Sequence, residues 1–158
     1  MRNFSLFALL CVSLLSTACS SKRLDYYGVQ AEGEKAIAIE GPRAEWAHTL
    51  QLYLRNAGIK VKRFASQQQR MVREGDGSTV IFDEAATRYI LYVDGYDLPG
   101  RRCFGGGYTM GSITAELIDT ANNEAIFTYT GSGYTEGCEP MSGSTFTDIA
   151  NAVNGAWK

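Results

Sequence analysis

Gly111-Ser112-Ile113-Thr114-Ala115-Glu116-Leu117-Ile118, then Asp119-Thr120-Ala121-Asn122-Asn123, then Glu124-Ala125-Ile126-Phe127 is the stretch that decides the fold. Apolar and polar side chains alternate on both sides of a cluster of turn formers, the pattern of two antiparallel strands closed by a short loop. The strand-like runs extend over Tyr108–Ile118 and Glu124–Tyr134, so the predicted hairpin is long. Residues facing each other across a hairpin have position numbers of nearly constant sum, 242 for Ile118 with Glu124. Cys103 with Cys138 gives 241, so the two thiols are expected to meet at the open end of the hairpin. A disulfide closing a loop of this length contributes roughly 3–4 kcal/mol in the chain-entropy model. A two-cysteine metal or redox site is the alternative, but it lacks both Cys-x-x-Cys spacing and a nearby histidine.

Upstream of the hairpin, Arg88–Tyr96 is rich in aromatic and β-branched residues and reads as a strand. Asp97–Gly107, with Pro99, Gly100 and three further glycines, reads as the widest irregular stretch. Lys35–Glu40 is expected to be a short strand. Gly41-Pro42 then opens a helix with Pro42 at its first position. Trp46, Leu50, Tyr53, Leu54 and Ala57 build one apolar helical face, and Gly58 stops it. Ile59–Phe64 alternates and reads as a strand with Ile59 and Val61 inward. Residues 65–77 could form a short helix followed by a turn and are left open, and Thr79–Phe82 reads as a brief strand or bridge. Downstream, Phe146, Ile149, Ala150, Val153 and Trp157 recur at helical spacing, and Thr145 with Asp148 resembles a capping box. The helix reaches the end of the chain, where fraying is expected. The predicted fold is α+β: a mostly antiparallel sheet of about five to six strands with two helices packed on one face.

The other end of the chain carries an address. One positive charge at Arg2 precedes an apolar run from Phe4 to Leu15, too short to span a bilayer. Ser16-Thr17-Ala18 then leads directly into Cys19. This resembles the lipobox of bacterial lipoproteins, which implies that Cys19 becomes the acylated (palmitate-type) N-terminus. The family usually has Leu three residues before the cysteine, where this chain has Ser16. Ser16-x-Ala18 also fits an ordinary secretory cleavage site. Ser20 rather than Asp after the cysteine resembles the outer-membrane sorting pattern of Gram-negative lipoproteins. The domain reading is therefore a signal peptide over 1–18, a lipidated Cys19 with a tether over 19–34, and a single α+β periplasmic domain over 35–158. The expected location is the cell outer membrane, lipid-anchored and facing the periplasm.

Removing residues 1–18 removes one charge, Arg2, leaving 14 basic against 17 acidic side chains. No basic stripe is present, so nucleic acid is not an expected partner. The one histidine, His48, argues against a multi-histidine metal site, and no cofactor is expected. Seventeen glycines and nine tyrosines fit a β-rich, turn-rich domain.

Leu52-Tyr53-Leu54-Arg55-Asn56-Ala57-Gly58-Ile59-Lys60-Val61, together with the hairpin text, resembles small envelope lipoprotein domains. These are the curli-secretion lipoproteins, the lipoprotein activators of penicillin-binding proteins, and the N-terminal domain of the Tol-system periplasmic protein. The resemblance implies architecture and compartment; no catalytic residue carries over from it.

His48 lies off the apolar stripe of its helix and reads as a surface histidine. A hydrolytic triad lacks both a base beside a serine and a Gly-x-Ser-x-Gly turn. Gly105-Gly106-Gly107 precedes a strand rather than a helix, which disfavours a phosphate loop. Arg101, Arg102, Phe104 and Tyr108 form the candidate partner surface, since arginine and aromatic residues are enriched at interaction hot spots. Lys60, Lys62 and Arg63 read as the solvent face of a strand, suited to protecting a sheet edge. The expected function is a non-catalytic assembly or interaction module, partnered by an envelope protein or by itself. The alternative is a peptidoglycan or small-ligand binding domain using Tyr89, Tyr92, Tyr96 and Tyr108.

Overall fold

The computed structural model describes residues 21–63, 70–73, 79–82 and 87–157. The leader, Cys19 and part of the open 65–77 stretch lie outside the described residues.

The hairpin forms as its pattern dictates. β7 (Thr109–Asp119) and β8 (Glu124–Tyr134) pair antiparallel, with register shifts between Met110 and Ile113 and between Leu117 and Ile118. Asn123 takes the left-handed conformation in the turn (φ 58°), which asparagine tolerates better than most residues. On one side of this pair lies β6 (Tyr89–Asp97), antiparallel to β7. Beyond it come β2 (Ala36–Glu40), parallel to β6, and β3 (Lys60–Arg63), parallel to β2. β1 (Lys22–Tyr26) closes the other side against β8, giving the order β1-β8-β7-β6-β2-β3. β4 (Arg70–Arg73) and β5 (Thr79–Phe82) form a separate antiparallel ribbon, so part of the stretch left open is strand.

Helix α1 (Glu45–Asn56) makes the crossover that a parallel β2–β3 pair requires. It starts after Ala44, which places Pro42 outside the helix rather than at its first position. Gly58 (φ 82°) ends it as expected. α2 (Thr145–Gly155) is the closing helix. Both helices bury their stripes on one face of the sheet: Trp46, Leu50 and Leu54 from α1, Phe146, Ile149 and Val153 from α2. They meet Ile37, Tyr89, Leu91, Val93, Ile113, Leu117, Phe127 and Tyr129 from the strands. Each such fully buried side chain contributes about 1.5–3 kcal/mol from area removed from water. The fold class is α+β, as the sequence implies.

Two further expectations are corrected. First, Lys22–Tyr26 and Ala31, within the expected 19–34 tether, belong to the fold. Lys22–Tyr26 is an edge strand, and the Tyr26 hydroxyl donates to Ala152 O (3.1 Å). Ala31 is buried and donates its N–H to Ala156 O (2.9 Å), which also fixes the C-terminal end of α2. Unpaired β8 edge groups and the exposed end of α2 both needed partners, and this segment supplies them. Second, Thr145 and Asp148 do not cap α2. Glu136 does: its carboxylate accepts the N–H groups of Phe146 (3.2 Å) and Thr147 (2.6 Å).

Candidate functional site

The open end of the hairpin gathers most of the residues singled out from sequence. β6 ends at Asp97, and β7 starts again at Thr109 opposite Tyr134, so the intervening loop stands over the end of β8. Cys103 and Cys138 are joined there (S–S 2.07 Å, Cα–Cα 4.9 Å), which is the pairing expected from the register. Beneath the disulfide, Tyr108 N–H donates to Thr135 Oγ1 (2.8 Å) and Thr135 N–H to Tyr108 O (2.9 Å). The glycine run serves close approach. A Cβ on Gly105 would lie 2.5 Å from Gly137 O, and one on Gly107 would collide with Glu136 O.

The four candidate surface residues separate in this setting. Phe104 is fully exposed, and Arg101 is exposed. Arg102 donates to Glu45 (2.6 Å) and to the Tyr108 hydroxyl (3.3 Å), with its guanidinium over the Tyr108 ring. Tyr108 is buried and packs against Phe146, so it leaves the candidate surface and belongs to the core. The tyrosine surface divides likewise: Tyr89 is buried against Trp157, whereas Tyr92 and Tyr96 stay exposed on the face opposite the helices. That face also carries Thr114, Glu116, Thr128, Thr130, Arg23, Asp25 and Tyr27. A hydrogen bond to Glu40 pushes the Tyr92 hydroxyl above its ordinary pKa.

A cleft that the sequence reading missed lies where β2 and β3 end against α1. Its volume is about 450 Å³, and its lining includes Glu40, Arg43, His48, Arg55 and Lys62. The signal was present: a strand–helix–strand order with β2 and β3 parallel brings a loop and a helix face together at the strands' carboxyl ends. His48, read as a surface histidine, and Arg55 of the same helix line one cleft with Lys62 because that crossover returns the chain to β3 beside β2.

Elsewhere, polar groups hold the fold. The buried Asp119 accepts two hydrogen bonds from Arg88 Nε (2.9 and 3.1 Å), one from Nη2 (2.7 Å), and one from Ala121 N–H (3.0 Å). The Arg88 hydrogen bonds hold the Asp119 carboxyl below the usual carboxylate range. Burial pushes the Tyr129 hydroxyl up to about 12, so it stays protonated at neutral pH. Among the described residues no group of three His, Cys, Asp or Glu is placed to hold a metal ion, and no helix is long and apolar enough to cross a membrane.

No protein-family model matches the chain, and no curated protein does. Among solved structures it is similar to a dodecamer of a single-residue variant of PelC from Paraburkholderia phytofirmans, at 20% identity and a TM-score of 0.49 over 87% of this chain and 97% of that one. It is similar to TolB from Acinetobacter baumannii, at 10% identity and 0.43, over 86% of this chain and 31% of TolB. It is also similar to the lipoprotein GNA1162 from Neisseria meningitidis, at 19% identity and 0.29, over 76% and 95%. All three scores are below 0.5. The likeness to the curli-secretion and penicillin-binding-protein-activator types remains an expectation from the sequence.

Proposed function

We propose that the protein is an envelope lipoprotein, anchored to the outer membrane through Cys19 and facing the periplasm, whose domain works as a non-catalytic interaction module. The observation that carries this is the distance between anchor and fold: the sheet begins at Lys22, three residues beyond the cysteine of the lipobox-like stretch. A modification at Cys19 would thus be joined almost directly to a sheet edge. The Cys103–Cys138 disulfide supports an exported compartment. Much of the charge near the hairpin's open end is committed to structure: Arg102 to Glu45, Glu136 to the α2 N-terminus. The surface proposed for a protein partner is the open sheet face around Tyr92 and Tyr96, where two aromatic rings stand among threonines and charged groups.

In-cell photo-crosslinking from positions 92 and 96 tests it. The expected result is a discrete protein adduct, of another envelope protein or of a second copy, that is missing when the crosslinker is placed at Asn56 on α1. Absence of any adduct from both positions would sink the reading.

A second reading is favoured by the cleft. Arg43, Arg55 and Lys62 around Glu40 suit a small anionic ligand or an acidic wall fragment that also donates a hydrogen bond. Co-sedimentation with purified sacculi in the absence of other proteins, lost on Arg55→Glu, would establish it over the first.

A further inference from the structure

The end of the molecule that carries the disulfide is also the end at which the chain arrives from Cys19. β1 runs antiparallel to β8, with Lys22 opposite Gly131 and Tyr26 opposite Phe127. Ser21 continues the contact, accepting the Ser132 N–H (3.0 Å). The direction back toward Cys19 is therefore the direction in which β8 runs on to Tyr134 and then to Cys138. Three residues span at most about 11 Å. A lipid on Cys19 would thus be tethered within that reach of Lys22, whereas the Asn122 turn lies roughly 35 Å from the open hairpin end along an eleven-residue strand.

Two apolar side chains project from that same end. Phe104 is fully exposed at the tip of the β6–β7 loop, and Met141 is half exposed in the loop between β8 and α2. The two loops are joined through Cys103–Cys138, and Met141 N–H donates to Cys138 O (2.8 Å), so the tips are presented on one braced platform. Within residues 97–107 and 135–144 the charges are Asp97, Arg101, Arg102, Glu136 and Glu139, which nearly cancel. Neither a polyanion nor a polycation fits such a surface well. A bilayer brought within reach by the anchor does.

We propose that the disulfide-braced loops around Phe104 and Met141 are a membrane seat, entering the interface of the leaflet that holds the Cys19 lipid and fixing the domain upright on it. This rests on the Cys19 reading. It leaves the Tyr92/Tyr96 face beside the membrane rather than against it. Because the seat is apolar, its binding is insensitive to salt.

The test uses the full protein purified from bacterial membranes and reconstituted into phosphatidylcholine vesicles with brominated acyl chains. An indole is introduced by Phe104→Trp, or by Asn122→Trp at the opposite turn, and the parent signal from Trp46 and Trp157 is subtracted. The expected result is a blue shift and loss of roughly half the new emission for Phe104→Trp, as for side chains buried about 5–10 Å into the headgroup–acyl boundary. Asn122→Trp should show neither change. Equal quenching at the two positions, or none at position 104, overturns the seat. Mass analysis of the N-terminal peptide separates the two ideas. An unmodified Cys19 overturns the anchor reading and the seat together, whereas an acylated Cys19 with an unquenched indole at position 104 overturns the seat alone.

Discussion

The two ends of the β7–β8 hairpin face the same physical problem and meet it with different chemistry. At both, neighbouring chain segments must be held together where the ladder stops supplying hydrogen bonds. The closed end uses a buried carboxylate, Asp119, gripped by Arg88 just before β6 and by the turn N–H of Ala121. The open end uses a covalent bond, Cys103–Cys138, over a dense contact of glycines. The contrast has a functional side. The ionic grip ties the turn to the segment entering β6, whereas the covalent brace ties together two loops, one of which presents the exposed Phe104 and the other Met141.

The largest effect should come from cutting the covalent end. Replacing both cysteines by alanine is expected to cost about 3–4 kcal/mol of stability, read from the urea midpoint, because the open loop regains its entropy in the unfolded chain. Retention of parental stability would mean that the glycine contact and the Tyr108–Thr135 bonds hold the end alone.

The ionic end should yield less. Asp119→Asn keeps the shape but loses the charge, and Arg88 is exposed enough to find water, so about 2 kcal/mol is expected at neutral pH. The sign with pH follows from the lowered carboxyl value. A carboxyl whose folded pKa lies below its unfolded one stabilises fully above the unfolded value. That contribution is lost as pH falls from about 4 through the folded value. The gap between parent and variant should therefore close on acidification. A gap that stays constant with pH would show that the hydrogen-bond geometry, rather than the charge, carries the effect.

The helix that starts beside the disulfide offers a smaller contrast of the same kind. Ser144 occupies the N-cap position of α2, but its side chain makes no capping bond. Its hydroxyl instead accepts from Lys22 Nζ (2.7 Å) and donates to Asp148 Oδ2 (3.0 Å). The helix N–H groups go to Glu136. Glu136→Ala is expected to cost about 1 kcal/mol, the usual worth of a lost cap. Ser144→Ala should cost less, and the reverse order would return the capping role to the serine.

The hairpin, both helical stripes and the cysteine pairing were legible because each rests on a local period or on a register that period fixes. Three features were not. β1 was hidden because Lys22-Arg23-Leu24-Asp25-Tyr26 has the composition of a solvated linker. It becomes a strand only because β8 offers a free edge. The Glu136 cap was hidden because it reaches forward ten and eleven positions to the helix it serves, beyond any capping-box spacing. The burial of Tyr108 was hidden because its neighbour Phe104, four positions earlier and equally aromatic, is fully exposed. What separates them is the packing partner: Tyr108 has Phe146 from a helix far downstream in sequence, and Phe104 has no packed ring among the described residues.

That last pair defines the smallest expected change in stability and the most telling one. Phe104→Ser removes a ring that is fully solvated in the folded domain, so the urea midpoint should move by no more than about 0.5 kcal/mol equivalent. A phenylalanine held in water by a disulfide-braced loop contributes nothing to the fold that holds it. If Phe104→Ser leaves stability unchanged but lets the lipidated domain tumble more freely on vesicles, measured by fluorescence anisotropy, the open end is the functional end of the hairpin. If instead the variant loses stability by as much as Glu136→Ala, the ring packs within the fold, and the contrast between the two ends reduces to one of chemistry alone.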